Sequence, residues 1–155
     1  MRILFVEDDD NKRRRVSEYL TEILVDATID NERSLQSAIR SMRATEYSLI
    51  MLDMSLPNYD PGPDEPGGKP QIFGGREFLR QMDRFDINIP VIVITQYPAF
   101  GRGANSLDLS DLDSELREDH GTIYRGAIYY NAAIQDWMSK LKDLMMTVAP
   151  EMVKK

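Results

Sequence analysis

Leu49-Ile50-Met51-Leu52-Asp53-Met54-Ser55-Leu56-Pro57 joins four apolar residues directly to a carboxylate. Four consecutive apolar residues suit a parallel strand covered on both faces, and a charge that follows at once belongs at the strand's C-terminal end. The same pattern occurs on either side. Upstream, Ile3-Leu4-Phe5-Val6 runs into Glu7-Asp8-Asp9-Asp10; downstream, Ile89-Pro90-Val91-Ile92-Val93-Ile94 ends in Thr95.

Between these runs the apolar spacing changes to three and four. Val16, Tyr19, Leu20, Ile23 and Leu24 predict an amphipathic helix from about Asn11 to Leu24, and Leu35, Ala38, Ile39 and Met42 predict a second. A second strand is expected at Val25–Ile29, and a third helix around Phe78, Leu79 and Met82, entered through Gly74-Gly75. Leu107, Leu109, Leu112 and Leu116 mark a polar fourth helix between Asn105 and Asp119. Thr122–Tyr130 reads as a fifth strand. A last helix carries Ile134, Trp137, Leu141 and Met145 on its stripe, with Asn131 as its N-cap.

Strands alternating with helices imply right-handed crossovers and a doubly wound α/β fold, with a five-stranded parallel sheet covered on both faces. In such sheets ligands bind beyond the carboxyl ends of the strands, where strand order reverses. Glu7, Asp8, Asp53 and Thr95 should therefore share one edge, although tens of residues separate them.

The 155 residues are expected to form one domain over 1–150, with 151–155 as a C-terminal tail. A Pro- and Gly-rich insertion spans 58–74, and an extended loop spans 96–105. The net charge of −7 argues against broad contact with nucleic acid, which needs Lys and Arg to displace counterions. Absence of cysteine excludes disulfides, thiolate metal sites and a Cys nucleophile, and fits a reducing cytoplasmic setting. No apolar run is long enough to span a membrane.

Three carboxylates brought to one edge repel one another unless a cation lies among them. An oxygen-only ligand set with no His or Cys favours Mg²⁺, with Mn²⁺ or Ca²⁺ behind it. At these residues the chain resembles the receiver domains of bacterial two-component response regulators, which have a flavodoxin-like (βα)5 fold. The resemblance rests on Ile3 to Asp8, on Leu49 to Pro57 with its Asp-x-Ser-Leu-Pro core, and on Ile89 to Thr95. It implies a signalling domain rather than an enzyme, with Asp53 as phosphoacceptor and Asp8 as a direct Mg²⁺ ligand. Glu7 would be a ligand or water-mediated neighbour, the Ser55 backbone carbonyl would complete the metal site, and the Thr95 hydroxyl would bond the phosphoryl oxygens. The donor would be a histidine kinase or phosphotransfer protein, and output would pass to a downstream protein partner.

Several features depart from that family. Its Lys at the end of the fifth strand corresponds here to Tyr130, which carries no positive charge at neutral pH. Ala127 stands where an aromatic is common, with Tyr124 and Tyr129 close by. Lys69 in the insertion and Arg102 in the extended loop are candidate replacements for the missing cation. Lys12-Arg13-Arg14-Arg15 opens the first helix, against its macrodipole, and reads either as a solvated face or as a docking surface for a kinase. His120 reads as a turn residue, and the Met-rich last helix as core or as a contact with a second subunit. Two other functions compete with the phospho-accepting one: a phosphorylation-independent pseudo-receiver that binds proteins, and a metal-dependent phosphohydrolase. The latter usually has an acid two residues after its Asp nucleophile, where this chain has Ser55.

Overall fold

A computed structural model describes residues 1–60, 74–97, 99–100 and 107–155. Most of the 58–74 insertion, with Lys69, and most of the 96–105 loop, with Arg102, lie outside the described residues. Five strands form one parallel sheet: β1 (Arg2–Val6), β2 (Thr28–Glu32), β3 (Leu49–Leu52), β4 (Val91–Thr95) and β7 (Tyr124–Tyr129), in the order β2-β1-β3-β4-β7. The helices are α1 (Asp10–Ile23), α2 (Leu35–Ala44), α3 (Gly74–Arg84), α4 (Leu109–Asp119) and α5 (Asp136–Val148). The doubly wound α/β architecture read from the sequence is the one observed.

Ile3–Val6, Leu49–Leu52 and Val91–Thr95 are buried throughout, because helices cover both faces of the central strands. On one face Leu4, Ile50, Leu52 and Val93 pack with Phe78 of α3, among others, in a cluster that includes residues of α2 and α4. On the other, Phe5, Met51 and Ile94 belong to a cluster with Leu20 of α1 and Trp137 and Leu141 of α5. Each large apolar side chain wholly removed from water contributes about 1.5–3 kcal/mol before entropy is counted.

Local chemistry sets the helix starts. Asp9 caps α1 by accepting the backbone N–H of Lys12 at 2.9 Å, and Ser34 and Ser37 form a reciprocal capping box at α2. Asp108 caps α4, accepting from the Asp111 N–H at 2.8 Å.

Three boundaries differ from the sequence reading. The second strand is Thr28–Glu32 rather than Val25–Ile29: Val25 is 41% exposed, Asp26 turns the chain at φ 51°, and pairing with β1 starts at Arg2↔Thr28. The last helix starts at Asp136, not after Asn131. The Asn131 side chain accepts the Ala133 N–H at 2.9 Å and closes a turn that leaves Ile134 half exposed. Finally, a two-stranded antiparallel ribbon, β5 (Ala99–Phe100) with β6 (Leu107–Asp108), precedes α4, which is therefore shorter than the 105–119 span allowed.

After α5, the closing residues run back beside α1. A short 3-10 turn (Pro150–Met152) leads to Val153, which is buried and bridges Leu24, and the Lys154 N–H donates to the Ile23 carbonyl at 2.8 Å. Among the described residues, no helix is long and apolar enough to cross a membrane.

Candidate functional site

β1 and β3 lie side by side where strand order reverses, and the Val6↔Leu52 register brings their next residues, Glu7 and Asp53, to the same sheet edge. Backbone bonds hold both positions: the Asp53 N–H donates to the Val6 carbonyl at 3.1 Å, and the Glu7 N–H to the Glu32 carbonyl at 2.9 Å. Glu7, Asp8 and Asp53 each offer a carboxylate oxygen within 4.8 Å of the others. Glu7 and Asp53 are buried, and Asp8 lies half-buried beside them.

The electrostatics follow from that crowding. Burial pushes the Glu7 carboxyl well above the usual carboxylate range, against the opposing pull of Lys12, and the Asp53 charge raises it further. Asp8 is raised as well, first by burial and then by Asp53. Oxygen-only donors this close fit a small hard divalent cation, which would offset both the burial of these charges and the smaller repulsion from Asp53. Asp8, Asp53 and Glu7 thus match the chemistry of a Mg²⁺ or Mn²⁺ site.

Lys12 corrects the reading of the basic run as a uniform solvated or docking face. Its side chain is 1% exposed; the ammonium donates to the Ile94 carbonyl at 2.8 Å, ion-pairs with Glu7, and stands 3.6 Å from Asp53 Oδ2. Arg13 and Arg15 are partly buried and Arg14 is exposed. The signal was present in the spacing, since Lys12 precedes Val16, Leu20 and Ile23 on the one buried stripe of α1. A charged residue among three arginines hid it.

The other expected site residues fall as follows. Thr95 is fully buried at the end of β4, and its Oγ1 accepts the Tyr97 N–H at 3.2 Å. The Ser55 N–H points at Asp53 Oδ1 at 3.4 Å. Tyr130 is buried against Trp137, with ring centroids 5.2 Å apart, and its hydroxyl accepts from Arg15 at 3.2 Å. Tyr124 is buried and donates to Asp113 at 2.6 Å, whereas Tyr129 is exposed. His120, at the C-cap of α4, is buried with Nδ1 2.9 Å from Asp83.

Gly75 is a positioning residue that the sequence reading used only as a helix entry. A Cβ there would lie 2.5 Å from the Asp53 carbonyl oxygen and 2.9 Å from Met54 Cα, so only glycine lets α3 approach the strand end this closely.

No family model matches the chain. It is 31% identical over 150 residues to the uncharacterized protein y4jR of Sinorhizobium fredii, covering 96% of this chain and 99% of that one. It is 27% identical over 143 residues to the Detocs response regulatory protein DtcB of Enterobacter cloacae, covering 91% and 95% respectively. Among solved structures, the Mn²⁺-bound form of the response regulator Rcp1 superposes with a TM-score of 0.63 at 18% identity, covering 99% of each chain. With the β2-β1-β3-β4-β7 order and the acidic edge where that order reverses, these likenesses lead to one conclusion: the chain has the receiver fold of response regulators, and along nearly its whole length its sequence is similar to y4jR and to the response regulatory protein DtcB.

Proposed function

We propose that this receiver accepts a phosphoryl group on Asp53 from a histidine kinase or phosphotransfer protein, in a Mg²⁺-dependent step, and signals through contact with a downstream protein. The observation that carries this reading is the convergence of Glu7, Asp8 and Asp53 within 4.8 Å at the C-terminal edge of the sheet. Asp8, Asp53 and the Ser55 backbone carbonyl would hold the cation, with Glu7 beside them. When bound, Mg²⁺ supplies charge neutralisation on the phosphoryl oxygens during in-line transfer.

The chain's own residues do the rest. An Asp53 carboxylate oxygen forms the new bond to phosphorus as the donor's P–N bond breaks. The electron pair returns to an imidazole protonated on its other nitrogen, which leaves neutral. The Thr95 hydroxyl, which receives the Tyr97 N–H, retains its own proton to donate to a phosphoryl oxygen. That new bond would draw Thr95 and the adjoining loop toward the site and shift the population of the surface a partner reads.

The test is intact mass after incubation with Mg²⁺ and acetyl phosphate or a candidate kinase. A labile adduct that requires Mg²⁺ and is absent from Asp53→Asn is expected; no adduct from either donor refutes the reading. One observation favours a second reading in that event: Lys12 already gives the buried carboxylates a cation, so the fold is compatible with a phosphorylation-independent binding module.

A further inference from the structure

We propose that Lys12, carried into the site on the first turn of α1, is the phosphoryl-pairing cation of this receiver, replacing the strand-end Lys whose place Tyr130 occupies. The inference rests on phosphoryl acceptance by Asp53. Its basis is the geometry around the ammonium. Of the three N–H donors an ammonium carries, one goes to the Ile94 carbonyl at 2.8 Å, and the charge is ion-paired with Glu7. The remaining charge faces Asp53 Oδ2 at 3.6 Å, within ion-pair range but longer than a hydrogen bond. A phosphoryl oxygen added on Asp53 would meet that donor.

At the strand end Tyr130 offers a hydroxyl but no positive charge, and Arg125, the one cation of β7, donates to the Thr122 and Tyr124 carbonyls at 3.0 and 3.4 Å. Helix stability does not explain Lys12 either: a cation in the first turn opposes the macrodipole, and burying it costs desolvation energy. Those costs are offset only by partners inside the site. The tether to Ile94 also has a consequence, because that carbonyl belongs to the residue just before Thr95. One ammonium thus links the acceptor to the strand end that carries the second phosphoryl contact.

In transfer from acetyl phosphate, the Asp53–phosphorus bond forms as the donor's P–O bond breaks and acetate leaves with the electron pair. No proton moves, and Lys12 offsets charge on the transferred oxygens. The experiment compares wild type, Lys12→Met and Arg14→Ala, the last removing an exposed charge from the same helix. Adduct formation is followed by intact mass and Mg²⁺ affinity by calorimetry, below the melting temperature of every variant. Lys12→Met is expected to form the adduct on the order of a hundredfold more slowly. It is also expected to bind Mg²⁺ about tenfold more tightly, because a competing cation has left the carboxylates. Arg14→Ala should match wild type in both. These opposite shifts separate a phosphoryl partner from a merely structural lysine, whose loss would weaken both or neither. Wild-type rates in Lys12→Met, or a parallel loss of adduct and Mg²⁺ affinity, would overturn the assignment while leaving phosphorylation standing. No adduct on wild type would remove both.

Discussion

Replacing Lys12 by Met in protein stripped of divalent cations leaves the Glu7 and Asp53 carboxylates, 0% and 1% exposed, without their internal cation. Removing one member of a buried ion pair typically costs about 3–5 kcal/mol, because the remaining charge stays desolvated and unpaired. The lower half of that range is expected here, since burial already favours a protonated Glu7 and protonation relieves part of the penalty. Glu7→Gln alone should cost less: it removes one negative charge from the crowd and leaves Lys12 facing Asp53. The double variant should then be more stable than the sum of the two losses predicts, with a coupling of about 1–3 kcal/mol. Urea unfolding of all four proteins in chelator gives the cycle directly, provided the m-values agree. Losses that add to within about 0.5 kcal/mol would show that the contact carries no net coupling, and would refute the account of the cluster as one electrostatic unit.

Gly75→Ala should destabilise the fold by about 1–3 kcal/mol and slow phosphoryl acceptance, because the new Cβ meets backbone atoms of Asp53 and Met54 that cannot step aside; a wild-type urea midpoint and adduct rate would contradict this. Ser34→Ala should cost about 1 kcal/mol by urea unfolding, through loss of the buried capping box of α2. Tyr124 supplies a pH prediction. Burial, and then the hydrogen bond to Asp113, raise its phenol above the usual value, so its contribution to stability is complete below the unfolded pKa of about 10 and declines as pH rises above it. Between about pH 8 and pH 11, wild type should therefore lose more stability than Tyr124→Phe, measured by urea midpoints. Equal losses would mean that the buried phenol does not contribute to alkaline unfolding.

Much of the site was legible because its signals are local. An apolar run ending in a carboxylate states both the burial of a strand and the place where it surfaces, so β1, β3 and β4 and the convergence of Glu7, Asp8 and Asp53 follow from chain order and sheet handedness. Less was legible where competing local signals were close in strength. The edge strand β2 has one sheet neighbour and a weak alternation, so the turn at Asp26 displaced it by three residues. Asn131 was sound capping chemistry, but its side chain closes a turn at Ala133 instead of starting a helix.

By itself, the sequence determined the alternation of elements, the acidic edge and the absence of a lysine at the end of the last sheet strand. Only the tertiary structure decided which residue of the basic run faces the buried carboxylates. The Lys12 side chain is long enough to span from α1 to Ile94 and Asp53 once the helix docks on the sheet, and nothing in a run of four basic residues distinguishes the one facing inward except its phase with Val16, Leu20 and Ile23. Charge type argued for solvent and helical phase for the core; packing of α1 against the sheet settled the conflict, because Glu7, Asp53 and the Ile94 carbonyl at that edge supply what a buried ammonium needs.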